Sequence, residues 1–81
     1  MQEQERRDLR ELLAKASAGD GTARVAVENL LLAMDSAGRA ADVGAALEQI
    51  AVFGPPDLHQ VVLARLQAND HSNRQQWPMI G

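Results

Sequence analysis

Apolar residues recur at helical spacing in four stretches of this chain, and no segment alternates apolar with polar in the manner of a strand. From about Glu3 to Ala18, Leu9, Leu12, Leu13 and Ala16 fall at the i, i+3, i+4, i+7 positions of one helical face. On the opposite side Glu3, Arg7, Glu11 and Lys15 alternate in sign every four residues, a pattern worth about 0.2–0.5 kcal/mol per pair and typical of a solvated face. The second stretch begins near Asp20 or Thr22, both good N-caps, and stops at Gly38. Its core stripe is Ala23, Ala26, Val27, Leu30, Leu31 and Met34, while Val25 and Leu32 form a second apolar line almost opposite, which implies burial from two sides. The third, about Ala40 to Phe53, turns Val43, Ala46, Leu47, Ile50 and Phe53 inward, and Gly54 closes it. Pro55 and Pro56 suit the first turn of a fourth helix with Asp57 near its positive end. That helix carries Leu58, Val61, Val62 and Leu66 on one face and Leu63 well away from them.

The breaks at Gly19-Asp20-Gly21, Gly38, Gly54-Pro55-Pro56 and Asn69-Asp70 therefore predict an all-α fold, a small antiparallel bundle of four short helices of the helical-hairpin type with an irregular C-terminal tail. Residues 1–70 form the helical bundle domain and residues 71–81 a polar tail with an apolar tip. Seven polar residues, Asp70 to Gln76, precede Trp77-Pro78-Met79-Ile80-Gly81. A merely solvated tail does not ordinarily concentrate large apolar side chains at its tip. Pro78 removes a backbone donor and disfavours helix at Trp77, so this segment is expected to bind in an extended form.

Composition sharpens the expectation. Of 81 residues, 46% are hydrophobic, but 14 of these residues are alanine, and the aromatic content is one Phe and one Trp. A core this thin is marginal for a solitary monomer. Val25, Leu32, Val52 and Leu63 remain outside the assigned stripes, and grouped exposed apolar residues mark an interface. Together with Trp77, Met79 and Ile80 they are the candidate protein-interface residues, with a homodimer as the simplest arrangement. The absence of cysteine excludes a disulfide scaffold, thiolate metal sites and thiol catalysis. A net charge of −3 and a pI near 5.2 weigh against nucleic acid and anionic membrane as partners. No apolar run approaches 18 residues and no basic-then-apolar leader is evident, so a soluble, unprocessed, cytoplasmic chain is expected.

Two comparisons bear on the helices. Ala37-Gly38-Arg39 between two helices, Ala46-Leu47-Glu48 inside the second and Gly54-Pro55-Pro56-Asp57 before the next give the stretch from about Val25 to Val61 a shape that resembles a tetratricopeptide- or pentatricopeptide-type helical hairpin. The resemblance implies antiparallel helices with tight turns and a period near ~34 residues; it supplies no recognition residues. Asp35-Ser36 is similar to the Asp-Ser-Leu of acyl carrier proteins, which are also small, acidic and four-helical, and whose serine carries phosphopantetheine. That resemblance would make Ser36 an attachment site. Here the pair follows a helical run and precedes Ala37 and Gly38, as a helix-end serine does.

Helix three, the Gly54 turn and helix four have the order of a helix-turn-helix, whose recognition helix would offer His59, Gln60, Arg65 and Gln67. Arg6, Arg7 and Arg10 cluster near the start, but Glu3, Glu5, Asp8 and Glu11 cancel most of their field. His59 and His71 stand twelve apart, without a carboxylate at metal-ligand spacing, and Ser17, Ser36 and Ser72 lie in no nucleophile motif. The expected function is that of a small non-enzymatic protein-protein interaction module, an adaptor, inhibitor or accessory regulator. No catalytic, cofactor or metal residue is assigned. A DNA-binding regulator and an acyl-carrier-like protein are the alternatives.

Overall fold

The computed structural model describes the backbone of residues 1–75 and the side chains of residues 1–69. It contains four helices, α1 (Glu3–Ser17), α2 (Gly21–Ser36), α3 (Ala40–Phe53) and α4 (Leu58–Gln75), with no strand among the described residues. The all-α antiparallel bundle expected from the pattern is the fold.

The first two reversals use the same device. Ala18-Gly19-Asp20 joins α1 to α2, and Ala37-Gly38-Arg39 joins α2 to α3. Gly19 (φ 101°) and Gly38 (φ 76°) occupy the left-handed region that a Cβ disfavours. In each turn the glycine N–H donates to the carbonyl three residues back, Ala16 at 3.1 Å or Asp35 at 3.0 Å. The following residue donates five back, Asp20 to Lys15 at 3.0 Å and Arg39 to Met34 at 2.9 Å. This is the paired-bond helix stop that satisfies the last carbonyls of a helix. Asp20 then starts α2, its Oδ1 accepting from the Thr22 and Ala23 amides at 3.0 and 3.3 Å.

The third reversal is different. Gly54 is extended (φ −91°), Leu58 N–H donates to Pro55 O at 3.1 Å, and Val61 N–H to Asp57 O at 3.1 Å. Pro55 and Pro56 thus lie in a turn ahead of α4 rather than in its first turn. What Gly54 provides is room: a Cβ there would stand 2.8 Å from Ile50 O and 3.1 Å from Leu13 Cδ2.

Long-range bonds fix the arrangement. Glu5 meets Arg39, Arg10 meets Gln49 and Ser17 meets Phe53 O, so α1 and α3 lie side by side and run the same way. Arg24 meets Asp57, Glu28 meets Arg65 and Asp35 meets Asn69, so α2 and α4 are likewise parallel neighbours. The molecule is two antiparallel hairpins, α1–α2 and α3–α4, stacked with corresponding helix starts 37 residues apart (Glu3 and Ala40, Gly21 and Leu58). The antiparallel helices and tight turns implied by the helical-hairpin resemblance are present, with a spacing of 37 rather than near 34 and with α1 as part of the stack.

Leu9, Leu13 and Ala16 of α1, Ala23, Val27, Leu31 and Met34 of α2, Ala46 and Ile50 of α3, and Leu58 and Val62 of α4 form the buried core. Leu12, Leu30, Val43, Leu47 and Leu66 pack half-buried around it. Phe53 departs from the expected stripe and is 45% exposed. It is the last residue of α3, and the close approach of Leu13 to the Gly54 turn closes the core beneath it. Its ring turns outward instead, under the Arg10 guanidinium, 5.1 Å from the ring centroid.

The fourth helix also departs from expectation, for it continues to Gln75 through residues expected to be irregular. That run holds no Gly or Pro, and Asp, His, Ser and Asn each lose less than about 0.7 kcal/mol against Ala in a helix. A helix already nucleated carries such residues, since nucleation is the costly step. Residues 76–81, including Trp77, Met79 and Ile80, lie outside the described residues.

Because Gly54 meets backbone as well as a core side chain, Gly54→Ala is expected to destabilise the fold by about 1–3 kcal/mol, the usual scale of overpacking. Urea unfolding followed by circular dichroism checks this; an unchanged midpoint would mean that the turn shifts freely.

Candidate functional site

The candidate interface residues fall in three places. Leu32, half-buried, lines a groove of about 500 Å³ between α2 and α4 with Ala64, Arg65, Ala68 and Asn69. Val25 lies seven residues earlier on the same side of α2 and is 54% exposed. Val52, 72% exposed, stands apart from the groove beside Phe53 at the end of α3. Leu63 is half-buried on α4 and does not line the groove. Two small side chains one turn apart, Ala64 and Ala68, form the α4 wall, and both are exposed. Sequence periodicity passed over them because they fall outside the α4 stripe of Leu58, Val61, Val62 and Leu66, and the groove exists only where α4 runs parallel to α2.

Polar contacts edge this wall at each level. Arg24 Nη1 and Nη2 donate to Asp57 Oδ1 and Oδ2 at 3.2 and 2.8 Å, a two-pronged pair at the start of both helices. This contact holds the Asp57 carboxyl below its usual range and raises the Arg24 guanidinium. One level on, Arg65 Nε stands 3.3 Å from Glu28 Oε1, and Asn69 Nδ2 donates to Asp35 Oδ2 at 3.1 Å.

A second depression, about 510 Å³, lies where Met1, Gln2, Glu5, Arg39 and Asp42 meet. Arg39 joins three segments there. Its Nη2 donates to Glu5 Oε1 of α1 and its Nε to Asp42 Oδ2 in the first turn of α3, each at 2.7 Å. Glu5 Oε1 also accepts from the Gln2 amide at 3.2 Å, and the Met1 amino group pairs with Asp42. The Arg39 hydrogen bond, then the Gln2 amide, hold Glu5 below the usual carboxylate range. The Met1 amino group, then Arg39, do the same for Asp42, and both carboxylates raise Arg39 in return. Every charge in this depression is already matched, so it reads as a fastener of the bundle.

Ser36 is the exposed last residue of α2 and Ser17 spends its hydroxyl on Phe53 O at 3.1 Å. His59 is half-buried near the start of α4, and Gln60 and Gln67 are exposed. His71 and Ser72 lie among the residues whose side chains are not described. Among the described residues no group of three His, Asp or Glu is placed to hold a metal ion, and no helix is long and apolar enough to cross a membrane. Comparison with protein-family models, curated proteins and solved structures returns no match.

The Arg39 cluster gives the fold an acid-sensitive fastening. Glu5 and Asp42 have lower pKa values folded than unfolded, so their contribution is complete above the unfolded values and is lost as pH falls through the folded ones. The melting temperature of the intact chain is expected to decline from about pH 4.5 downward, and more shallowly in Arg39→Met, because that variant has less to lose. Parallel pH profiles of the two proteins by thermal circular dichroism would count against this.

Proposed function

We propose that this chain is a non-catalytic protein-binding module, cytoplasmic and soluble, that receives another protein along α2 and α4. The observation that supports the reading is the groove itself, whose Leu32, Ala64 and Ala68 offer carbon to a partner. Small side chains at Ala64 and Ala68 allow a partner's backbone to approach α4 closely, and Val25 extends the apolar line along α2. Such a surface takes an amphipathic helix or an extended apolar segment. A second copy of the chain meets the same requirement, which makes the homodimer one form of this reading.

The DNA-binding alternative is less well served. Arg65, the arginine of α4 among the residues whose side chains are described, faces Glu28, and Asp57 places a carboxylate where that helix begins. Of the four residues expected to read a duplex, His59, Gln60 and Gln67 then remain to meet its dense negative charge.

Two measurements test the proposal. The protein should pass through heparin without salt-dependent retention, whereas retention released by moderate salt would favour nucleic acid. In pull-downs from the native host, Leu32→Glu should lose the captured partner at least tenfold, while Val52→Asp, equally apolar-to-charged but away from the groove, should keep it. Loss with both or with neither would move the interface elsewhere.

A further inference from the structure

We propose that the occupant of the α2–α4 groove is a second copy of this chain, docked antiparallel across a two-fold axis. The proposal rests on the reading of that groove as an interaction surface and names its partner.

The face carries both halves of a self-complementary contact. Val25, 54% exposed, projects from α2. Seven residues on, about 10.5 Å along the helix axis, Leu32 lines the groove whose other wall holds Ala64 and Ala68. A projection and a hollow displaced along one face fit each other when a second copy is turned end for end, and the two contacts are then made together. The two-fold axis crosses α2 beside Asn29, between Val25 and Leu32, so the Val25 of each copy enters the groove of the other at Leu32. Ala64 and Ala68, both exposed and small, allow the second pair of helices to come close.

Charge selects the same face. Each copy carries −3, so two copies repel unless they meet where charge is already matched. The charged side chains that edge this face are held within it: Arg24 by Asp57 at 2.8 Å, Arg65 by Glu28 at 3.3 Å and Asp35 by Asn69 at 3.1 Å. Asn29, Ser36 and Gln60, also exposed on these two helices, are uncharged. A copy can therefore be buried here without stranding an unpaired ion. The other exposed apolar pair lacks this property. Val52 adjoins Phe53, over whose ring stands Arg10, bonded to Gln49 and to no carboxylate among the described residues. A two-fold contact there would bring two such guanidinium groups into one interface.

Light scattering of the full chain at high micromolar concentration should give twice 8.8 kDa, falling toward a single chain on dilution. Ala68→Arg fills the hollow with charge and Val25→Glu replaces the projection. Each should return the mass to that of one chain while circular dichroism keeps the helical signal. Val52→Asp should leave the dimer intact. The chain has no cysteine, so Asn29→Cys should oxidise to a cross-linked dimer, whereas Lys15→Cys, exposed on α1, should not. A parent with the mass of one chain throughout overturns the proposal, as does a dimer that survives both Ala68→Arg and Val25→Glu. No host protein enters these measurements. A single-chain parent that still captures a foreign protein through Leu32 refutes the second copy and leaves the interaction reading standing.

Discussion

The structure depends on reversing a helix within three residues, twice, in the same way. At Gly19 and Gly38 the chain enters the left-handed region, where a residue with a Cβ would cost about 1–2 kcal/mol. The paired carbonyl bonds that follow deliver the next residue, Asp20 or Arg39, directly to the start of another helix. Two equal reversals make each helix antiparallel to the next and bring α1 beside α3 with a common direction. The third turn has another means to the same result. At Gly54 a missing side chain lets Leu13 and the Ile50 carbonyl close over the turn, and α4 returns alongside α2.

A core of aliphatic side chains and alanines holds these helices, and among the described residues no polar one is buried within it. Direction and register are set at its margins instead, where charges of one helix meet those of the helix one hairpin away. Arg24 with Asp57 and Arg39 with Glu5 are the clearest examples, one at each end of the stack. Arg39 combines three duties, since its backbone completes a turn, its position begins α3 and its guanidinium reaches two carboxylates. Lysine, with a single point charge, cannot reproduce the two-directional fork.

The helices were legible because their apolar stripes are complete and their turns hold glycine. Three helices end within a residue or two of the expected positions, and most of the stripe residues are buried or half-buried. Two features were not legible. Phe53 looks like a core residue by spacing, but spacing does not register that Leu13, from another helix, has already closed the space at that end of α3. Residues 70–75 look irregular by composition, but composition does not register that a helix in progress tolerates weak formers. The groove was half legible: Leu32 stood out as an apolar residue without a stripe, whereas Ala64 and Ala68 acquire meaning only once α2 lies beside α4.

The stacking of like helices has a consequence for how the chain finds its shape. Between Glu5 and Arg39, Asp35 and Asn69, or Arg24 and Asp57 the separation is 33 or 34 positions, and the farthest-reaching bond, Met1 to Asp42, closes 41. No described hydrogen bond joins the first quarter of the chain to the last. The entropy of ring closure grows only with the logarithm of loop length, so these closures are nearly equal in difficulty. A chain with this wiring has no single late, costly step in which distant ends must meet. It can assemble one hairpin upon the other from either direction, at the rapid rates of topologies dominated by near neighbours.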